Sequence, residues 1–156
     1  MSIPVTLQHY LERSGVKYDV LPHRYAASSM KTAEEAGVSG NNIAKSVLLE
    51  DETGYLMAVI PATHHVELGM LSRQLNRQLG LATETELSQL FIDCDVGAIP
   101  PIGQAYGVDV ILEDSLSDCT DIYFEAGDHT ELIHMRGKDF LKLMSAASHG
   151  QFSHHL

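Results

Sequence analysis

The chain has 156 residues, 44% of them hydrophobic, and its 21 acidic and 10 basic side chains give a formal net charge of −11. This length suffices for one sizeable core and is short for two. The charge argues against broad nonspecific binding to nucleic acid, which depends on many Lys and Arg contacts to phosphate. Any polyanionic partner must therefore be contacted locally or be delivered by another protein.

Targeting signals and paired cysteines are both missing from the sequence. No apolar run approaches the ~20 residues that span a bilayer, and the first residues lack the basic and apolar regions of a signal peptide. Cys94 and Cys119 fit neither a disulfide framework nor a CxxC motif. We therefore expect a cytoplasmic protein with reduced thiols and no membrane partner.

The first half of the chain predicts two short helices and three strands. A helix over residues 4–13 is followed by a half-buried strand that ends at Pro22, and a helix of one or two turns stops at Gly37. The runs "NIAKSVLLE" and "YLMAVI" flank "DETG" and predict a β-hairpin.

The second half predicts three helices and four strands. Leucines recur at helical spacing from Leu68 until Gly80 closes the helix, and Thr83 with Glu86 resembles a capping box that opens the next one. Strands are expected at 95–99, 108–112, 121–126 and 130–135, before a helix in "KDFLKLMSAA". The pattern predicts one α+β domain over residues 1–148. Its core is a mixed, mostly antiparallel sheet or partial barrel of six to seven strands flanked by helices, and residues 149–156 form a frayed tail.

Lys45 is the first candidate functional residue because it interrupts an apolar strand. Both faces of that strand are apolar, so a charged amine there needs an anion, hydrogen-bond acceptors or water. One interpretation is a lysine at the strand entry whose ammonium reaches solvent. The other is a lysine that lines a pocket and contacts a ligand carbonyl or phosphate.

The segment "DVGAIPPIGQ" is the second candidate. Pro100 and Pro101 cannot donate hydrogen bonds to a neighbouring strand, whereas the amides of Gly97, Ala98 and Ile99 can donate. Such amides are suited to binding an ester oxygen or its developing negative charge. The alternative is a strand exit with a turn stiffened by proline.

A third candidate lies in "YFEAGDHTELIHM". Gly127, Asp128 and His129 predict a tight turn between two strands, and the Asp–His pair is able to orient a water or bind an amine. An ordinary surface turn is the alternative. Elsewhere there is no GxSxG, P-loop, GxGxxG or HExxH motif, and the adjacent histidines 64–65 and 154–155 are expected to diverge into solvent. Cys94 has no identifiable base beside it and is expected to be a packed thiol.

From about Val16 to Phe140 the chain resembles the YbaK/ProX family of aminoacyl-tRNA editing domains. The resemblance rests on "IAKSVLLE", on the Gly-x-x-x-Pro loop within "DVGAIPPIGQ", and on "IYFEAGDHTELIHM". It implies catalytic roles for Lys45, Gly97 and Ala98, with neither metal, cofactor nor covalent nucleophile. It also implies a set of substrate-binding residues, namely His23, Ser46, Ile99, Pro100, Pro101, Gly127, Asp128 and His129.

The resemblance further implies an activity and partners. Family members hydrolyse the ester that joins a wrong amino acid to tRNA, often in trans beside prolyl-tRNA synthetase. We therefore expect a deacylase that acts on the acceptor end of tRNA carrying a small amino acid. The alternative is a non-catalytic module that kept the pocket and binds an aminoacyl or nucleotide ligand, an oligonucleotide or a protein.

Overall fold

The computed structural model describes residues 3–26 and 28–156. Five α-helices occur in these ranges: α1 (Val5–Ser14), α2 (Ser29–Ala36), α3 (Leu68–Leu75), α4 (Glu84–Leu90) and α5 (Gly137–Leu143). The same ranges contain ten strands: β1 (Asp19–Pro22), β2 (Ala44–Asp51), β3 (Gly54–Pro61), β4 (His64–Val66), β5 (Gly80–Leu81), β6 (Asp109–Glu113), β7 (Asp121–Glu125), β8 (Glu131–Arg136), β9 (Ser148–Gly150) and β10 (Ser153–His155).

The strands form three sheets. The largest has the order β5-β2-β3-β6-β9, in which β3–β6 and β6–β9 are parallel and the other pairs antiparallel. The other two are the antiparallel sheets β1-β8-β7 and β10-β4. The predicted α+β class with mostly antiparallel pairing is confirmed, and the described strands do not close into a barrel. More strands occur than predicted because β4, β5, β9 and β10, of two or three residues each, carry too little pattern.

The predicted hairpin is the centre of the fold. β2 and β3 pair from Ala44 with Pro61 to Asp51 with Gly54, and Gly54 takes a φ of 138° in the turn. On its other edge β2 pairs with β5 only at Leu49 and Glu50. Within the described chain, residues 44–47 therefore present an edge without a partner strand, and the candidate site lies along that edge.

Two hydrophobic clusters cover the two faces of the large sheet. One cluster joins it to α1, α5 and the β1-β8-β7 sheet, with Phe91, Phe124 and Phe140 fully buried. The other packs Leu49 and Ile60 against Leu71 of α3 and against Phe152. Burial on both faces explains why β2 and β3 read as continuous apolar runs rather than as alternating patterns.

Two predicted boundaries are wrong in the region around α3 and the proline-rich segment. Helix α3 ends at Leu75, where Asn76 takes a left-handed φ of 53°, and Gly80 begins β5 instead of closing the helix. Residues 95–99 are a turn rather than a strand, since the Ala98 amide donates to the Asp95 carbonyl at 3.1 Å. The predicted capping box of Thr83 and Glu86 is confirmed.

The expectation of a frayed tail is also wrong, because the last residues are paired and buried. β9 pairs with β6, β10 pairs with β4, and Phe152 has 0% exposure. The buried Glu113 carboxylate accepts hydrogen bonds from the Phe152 and Ser153 amides at 3.1 and 2.9 Å. These contacts join residues about forty positions apart in the chain, so local composition did not predict them.

Candidate functional site

A cavity of about 410 Å³ lies between the open edge of β2 and the 95–101 segment. Volumes of this size are typical of small-molecule sites. Its walls come from five separate parts of the chain and include Ser28, Lys45, Ser46, Glu84, Gly97, Ile99 and Glu125. Four of the predicted catalytic or substrate-binding residues, Lys45, Ser46, Gly97 and Ile99, are thus brought together.

Lys45 lies half-buried on β2, opposite Ile60 in the hairpin register. Its Nζ donates to the Ala62 carbonyl at 3.3 Å, just beyond the end of β3. Burial lowers the pKa of the Lys45 amine from its ordinary value. The side chain therefore reaches a backbone acceptor and the cavity wall rather than extending freely into solvent, which favours the pocket interpretation.

Ser46 points to the other face of β2 and fixes the turn against the strand. Its hydroxyl donates to the Ile99 carbonyl at 2.9 Å, a contact between residues 53 positions apart. Ile99 is 8% exposed, and Pro100 and Pro101 are buried behind it, outside the cavity lining. Ser46 and the two prolines thus position the turn, while Ile99 contributes directly to the cavity wall.

Gly97 and Ala98 differ in what their amides can do. Gly97 has a φ of 93°, which side-chain-bearing residues rarely adopt, and its amide has no acceptor among the described residues. Ala98 is fully buried and its amide already donates to Asp95 within the turn. Of the two turn residues with a predicted catalytic role, the geometry therefore leaves Gly97 the better placed to meet a ligand.

Glu125, at the end of β7, is a cavity residue that the sequence interpretation missed. Its carboxylate lies 3.3 Å from His23 Nε2, and the two side chains are 6% and 0% exposed. Burial raises the pKa of the Glu125 carboxyl, and the nearby Thr32 hydroxyl, His23 and His129 oppose that shift. The predicted site residue His23 lies outside the cavity lining, behind this carboxylate.

The 127–129 turn is buried, contrary to the surface-turn alternative. His129 is 6% exposed with a left-handed φ of 69°, and its Nε2 lies 3.1 Å from the Val96 carbonyl, so this nitrogen carries the proton. Asp128 accepts from the Thr130 amide at 3.0 Å. A Cβ on Gly127 would lie 2.4 Å from Pro4 Cγ. The turn therefore supports Val96 and Gly97 from behind and does not line the cavity.

Cys94 lies beside this turn in an environment that opposes thiolate formation. Burial raises the pKa of the Cys94 thiol to about 12, and the sulfur contacts the Tyr106 hydroxyl at 3.3 Å. A neutral thiol is a poor nucleophile. This agrees with the interpretation of Cys94 as a packed residue.

These features define a small domain whose cavity is bounded by a strand lysine and a glycine–proline turn, and the comparisons identify its class. The sequence model of the aminoacyl-tRNA editing domain matches residues 23–143, so the chain belongs to that family. No curated protein sequence matches the chain. In the described ranges no helix is long and apolar enough to cross a membrane.

Solved structures share the fold at low sequence identity. The hypothetical protein APE2540 aligns with a TM-score of 0.84 and 18% identity, covering 96% of this chain and 99% of that one. A candidate trans-editing enzyme for prolyl-tRNA synthetase aligns with a TM-score of 0.82 and 22% identity, covering 96% of this chain and 95% of that one. A Marinobacter aquaeolei VT8 protein assigned to signal transduction aligns with a TM-score of 0.76 and 19% identity, covering 97% of this chain and 31% of that one.

Proposed function

We propose that this protein is a trans-acting deacylase, which hydrolyses the ester between a small amino acid and the end of a wrongly charged tRNA. The observation that carries the proposal is the convergence of Lys45, the Gly97 turn and Glu125 on one cavity. Membership in the editing-domain family supports the substrate class. The fold shared with a candidate trans-editing enzyme supports action in trans, with a synthetase such as prolyl-tRNA synthetase as the partner.

The reaction requires little from the protein beyond positioning. A water oxygen bonds to the ester carbonyl carbon, the bond to the ribose oxygen breaks, and the ribose oxygen takes a proton to leave as a hydroxyl. An aminoacyl ester is already activated, so holding it in a protected cavity and polarising its carbonyl suffices for catalysis. In this scheme the Gly97 amide meets the carbonyl oxygen as negative charge develops there.

Lys45 and Glu125 hold the two ends of the substrate in this scheme. The Lys45 ammonium binds the ester or phosphate side, in place of its contact with the Ala62 carbonyl. The Glu125 carboxylate receives the α-ammonium group of the amino acid, a charge-assisted hydrogen bond of the stronger kind. His23 Nε2 lies behind this carboxylate, at 3.3 Å.

The rigidity of the turn underlies the proposed preference for small amino acids. The turn is fixed by Ser46, by the buried prolines and by His129 from behind. Alanine, serine, cysteine and proline are therefore preferred over aromatic residues. A cavity of this kind separates substrates that differ by one methylene by only about 1–3 kcal/mol, so several small residues are accepted.

The test is a set of tRNAs charged with alanine, serine, cysteine, proline or phenylalanine, with release of free amino acid as the measurement. We expect turnover of small aminoacyl esters and little of the phenylalanyl ester. Lys45→Ala should abolish turnover with the fold intact or slightly more stable, because no paired charge is broken. Lys17→Ala, on the segment before β1, is the control. Binding without turnover of any ester would support the non-catalytic module instead, and fastest turnover of the phenylalanyl ester would contradict the small-substrate preference.

A further inference from the structure

Four histidines face one another across the short β4–β10 ladder. The register places His154 opposite His65 and His155 opposite His64. Since side chains alternate along a strand, the two pairs lie on opposite faces of the ladder. The two histidines of each adjacent pair diverge, as the sequence predicts. Across the ladder, however, His65 meets His154 on one face and His64 meets His155 on the other.

A carboxylate completes the first of these pairs. The ring centroids of His65 and His154 are 3.7 Å apart, and Glu67 Oε1 lies 3.7 Å from His65 Nε2 and in contact with His154 Nδ1. One donor atom from each residue lies within 4.8 Å of the others. The three side chains are 38–49% exposed, so an ion has access from solvent.

The second pair is arranged differently. His64 and His155 have ring centroids 5.7 Å apart, and His64 Nδ1 lies 2.8 Å from the Ser153 hydroxyl, which in turn donates to Glu113 at 2.6 Å. Among the described residues, the group of possible metal ligands consists of His65, Glu67 and His154, and it includes neither His64 nor His155. The two faces of one ladder therefore offer a candidate site and a matched control.

We infer that His65, Glu67 and His154 form a binding site for a transition-metal ion of the zinc type, outside the proposed catalytic cavity. Two imidazole nitrogens and one carboxylate oxygen are a donor set that zinc takes at about 2.0–2.2 Å, with water in the fourth position. Donors around such a tetrahedral ion stand roughly 3.3 Å apart. The 3.7 Å separation of His65 and Glu67 needs only a small side-chain adjustment to reach this value.

The ligands come from both strands of the ladder and from the residue before α3, so the ion joins β10 to the body of the protein. His154 belongs to β10, whereas His65 belongs to β4 and Glu67 directly precedes α3. A ligand that binds only the folded state raises the unfolding temperature in proportion to the logarithm of its concentration. Magnesium and calcium, which prefer all-oxygen sites, should give no such effect.

The experiment uses the untagged full chain, titrated with zinc in a calorimeter and melted with zinc or with magnesium. We expect one zinc ion per chain and a rise in melting temperature with zinc alone. His154→Asn should weaken zinc binding by about tenfold or more and remove the rise. His155→Asn, one residue further along the same strand and on the opposite face, should retain both.

If His154→Asn proves less stable without metal, Glu67→Gln is the second variant, and the same loss of zinc binding is expected. Unchanged zinc affinity in these variants, or an equal loss in His155→Asn, would overturn the inference.

Discussion

Two charged side chains interrupt apolar strands at the cavity, and burial shifts the pKa of each in the direction that favours its neutral form. The pKa of Lys45 is lowered and that of Glu125 is raised, in both cases chiefly by loss of hydration. The Ala62 carbonyl lies close to Lys45, and His23 and the Thr32 hydroxyl lie close to Glu125. A substrate with a polarised ester and an ammonium group would provide both side chains with partners that the protein alone does not.

Glu125→Gln is expected to reduce kcat/KM for the best aminoacyl ester by about tenfold or more, since hydrogen bonds to charged groups contribute about 1.5–3 kcal/mol. The loss should appear mainly in KM if the carboxylate binds the α-ammonium group equally in the ground and transition states. Glu84→Gln, an exposed carboxylate at the same cavity, is the matched control. Equal effects of the two substitutions would contradict the role proposed for Glu125.

The same substitution has a defined effect on stability. Because the folded-state pKa of Glu125 is raised, its contribution to stability is present below the unfolded pKa of about 4.3 and is lost as pH rises through the folded value. Glutamine does not ionise. The melting temperature of Glu125→Gln at neutral pH should therefore equal or exceed that of the wild type.

At the residue scale, the sequence predicted Lys45 by a criterion that would also have found Glu125. Each is a lone charge in an apolar strand, "IAKSVLLE" for Lys45 and "IYFEA" for Glu125. The supporting roles of Ser46, Ala98 and the 127–129 turn were not predictable. They depend on contacts between residues distant in sequence, such as the hydrogen bond from Ser46 to Ile99.

At the element scale, an ion pair joins the central hairpin to the segment that follows α3. Arg77 Nε and Nη2 lie 2.7 and 2.9 Å from the two oxygens of Asp51, at the end of β2. The Arg77 guanidinium holds the pKa of the Asp51 carboxyl well below its usual range. This contribution to stability is present above the unfolded pKa of about 3.9 and is lost as pH falls toward the folded value.

Arg77→Gln should therefore lower the melting temperature by a few degrees near neutral pH, and its difference from the wild type should narrow as pH falls below about 4. Arg73→Gln removes the same charge from an exposed position in the last turn of α3. It should change the melting temperature little at any pH. If the melting temperatures of Arg77→Gln and the wild type differed by the same amount at pH 7 and at pH 3, the ion pair would not be the cause of the difference.

The elements that were predicted correctly are those specified by neighbouring residues. The hairpin follows from two apolar runs around a short turn, and the capping box from Thr83 and Glu86. The 95–99 segment was assigned wrongly because its strand-like composition is overridden by a turn held by Gly127 and Ser46. The β4–β10 ladder was missed because its strands have three residues each and lie far apart in sequence.

At the scale of the whole molecule, the net charge of −11 limits how the protein binds tRNA. We expect weak binding with a salt dependence that corresponds to only about two to four phosphate contacts. Fluorescence anisotropy with acylated and uncharged tRNA over a range of salt concentrations gives the number of contacts. Nanomolar affinity at physiological salt, indifferent to acylation, would contradict recognition of the aminoacylated end alone.

The pairing of β10 with β4 also constrains when the protein matures during synthesis. The Leu156 amide donates to the Thr63 carbonyl at 2.8 Å, one residue beyond the carbonyl that receives Lys45. The hairpin of β2 and β3 consists of local contacts and forms early, whereas this edge is completed only when residues 153–156 leave the ribosome. A nascent chain therefore carries Lys45 and the complete β2–β3 hairpin well before the β4–β10 ladder can form.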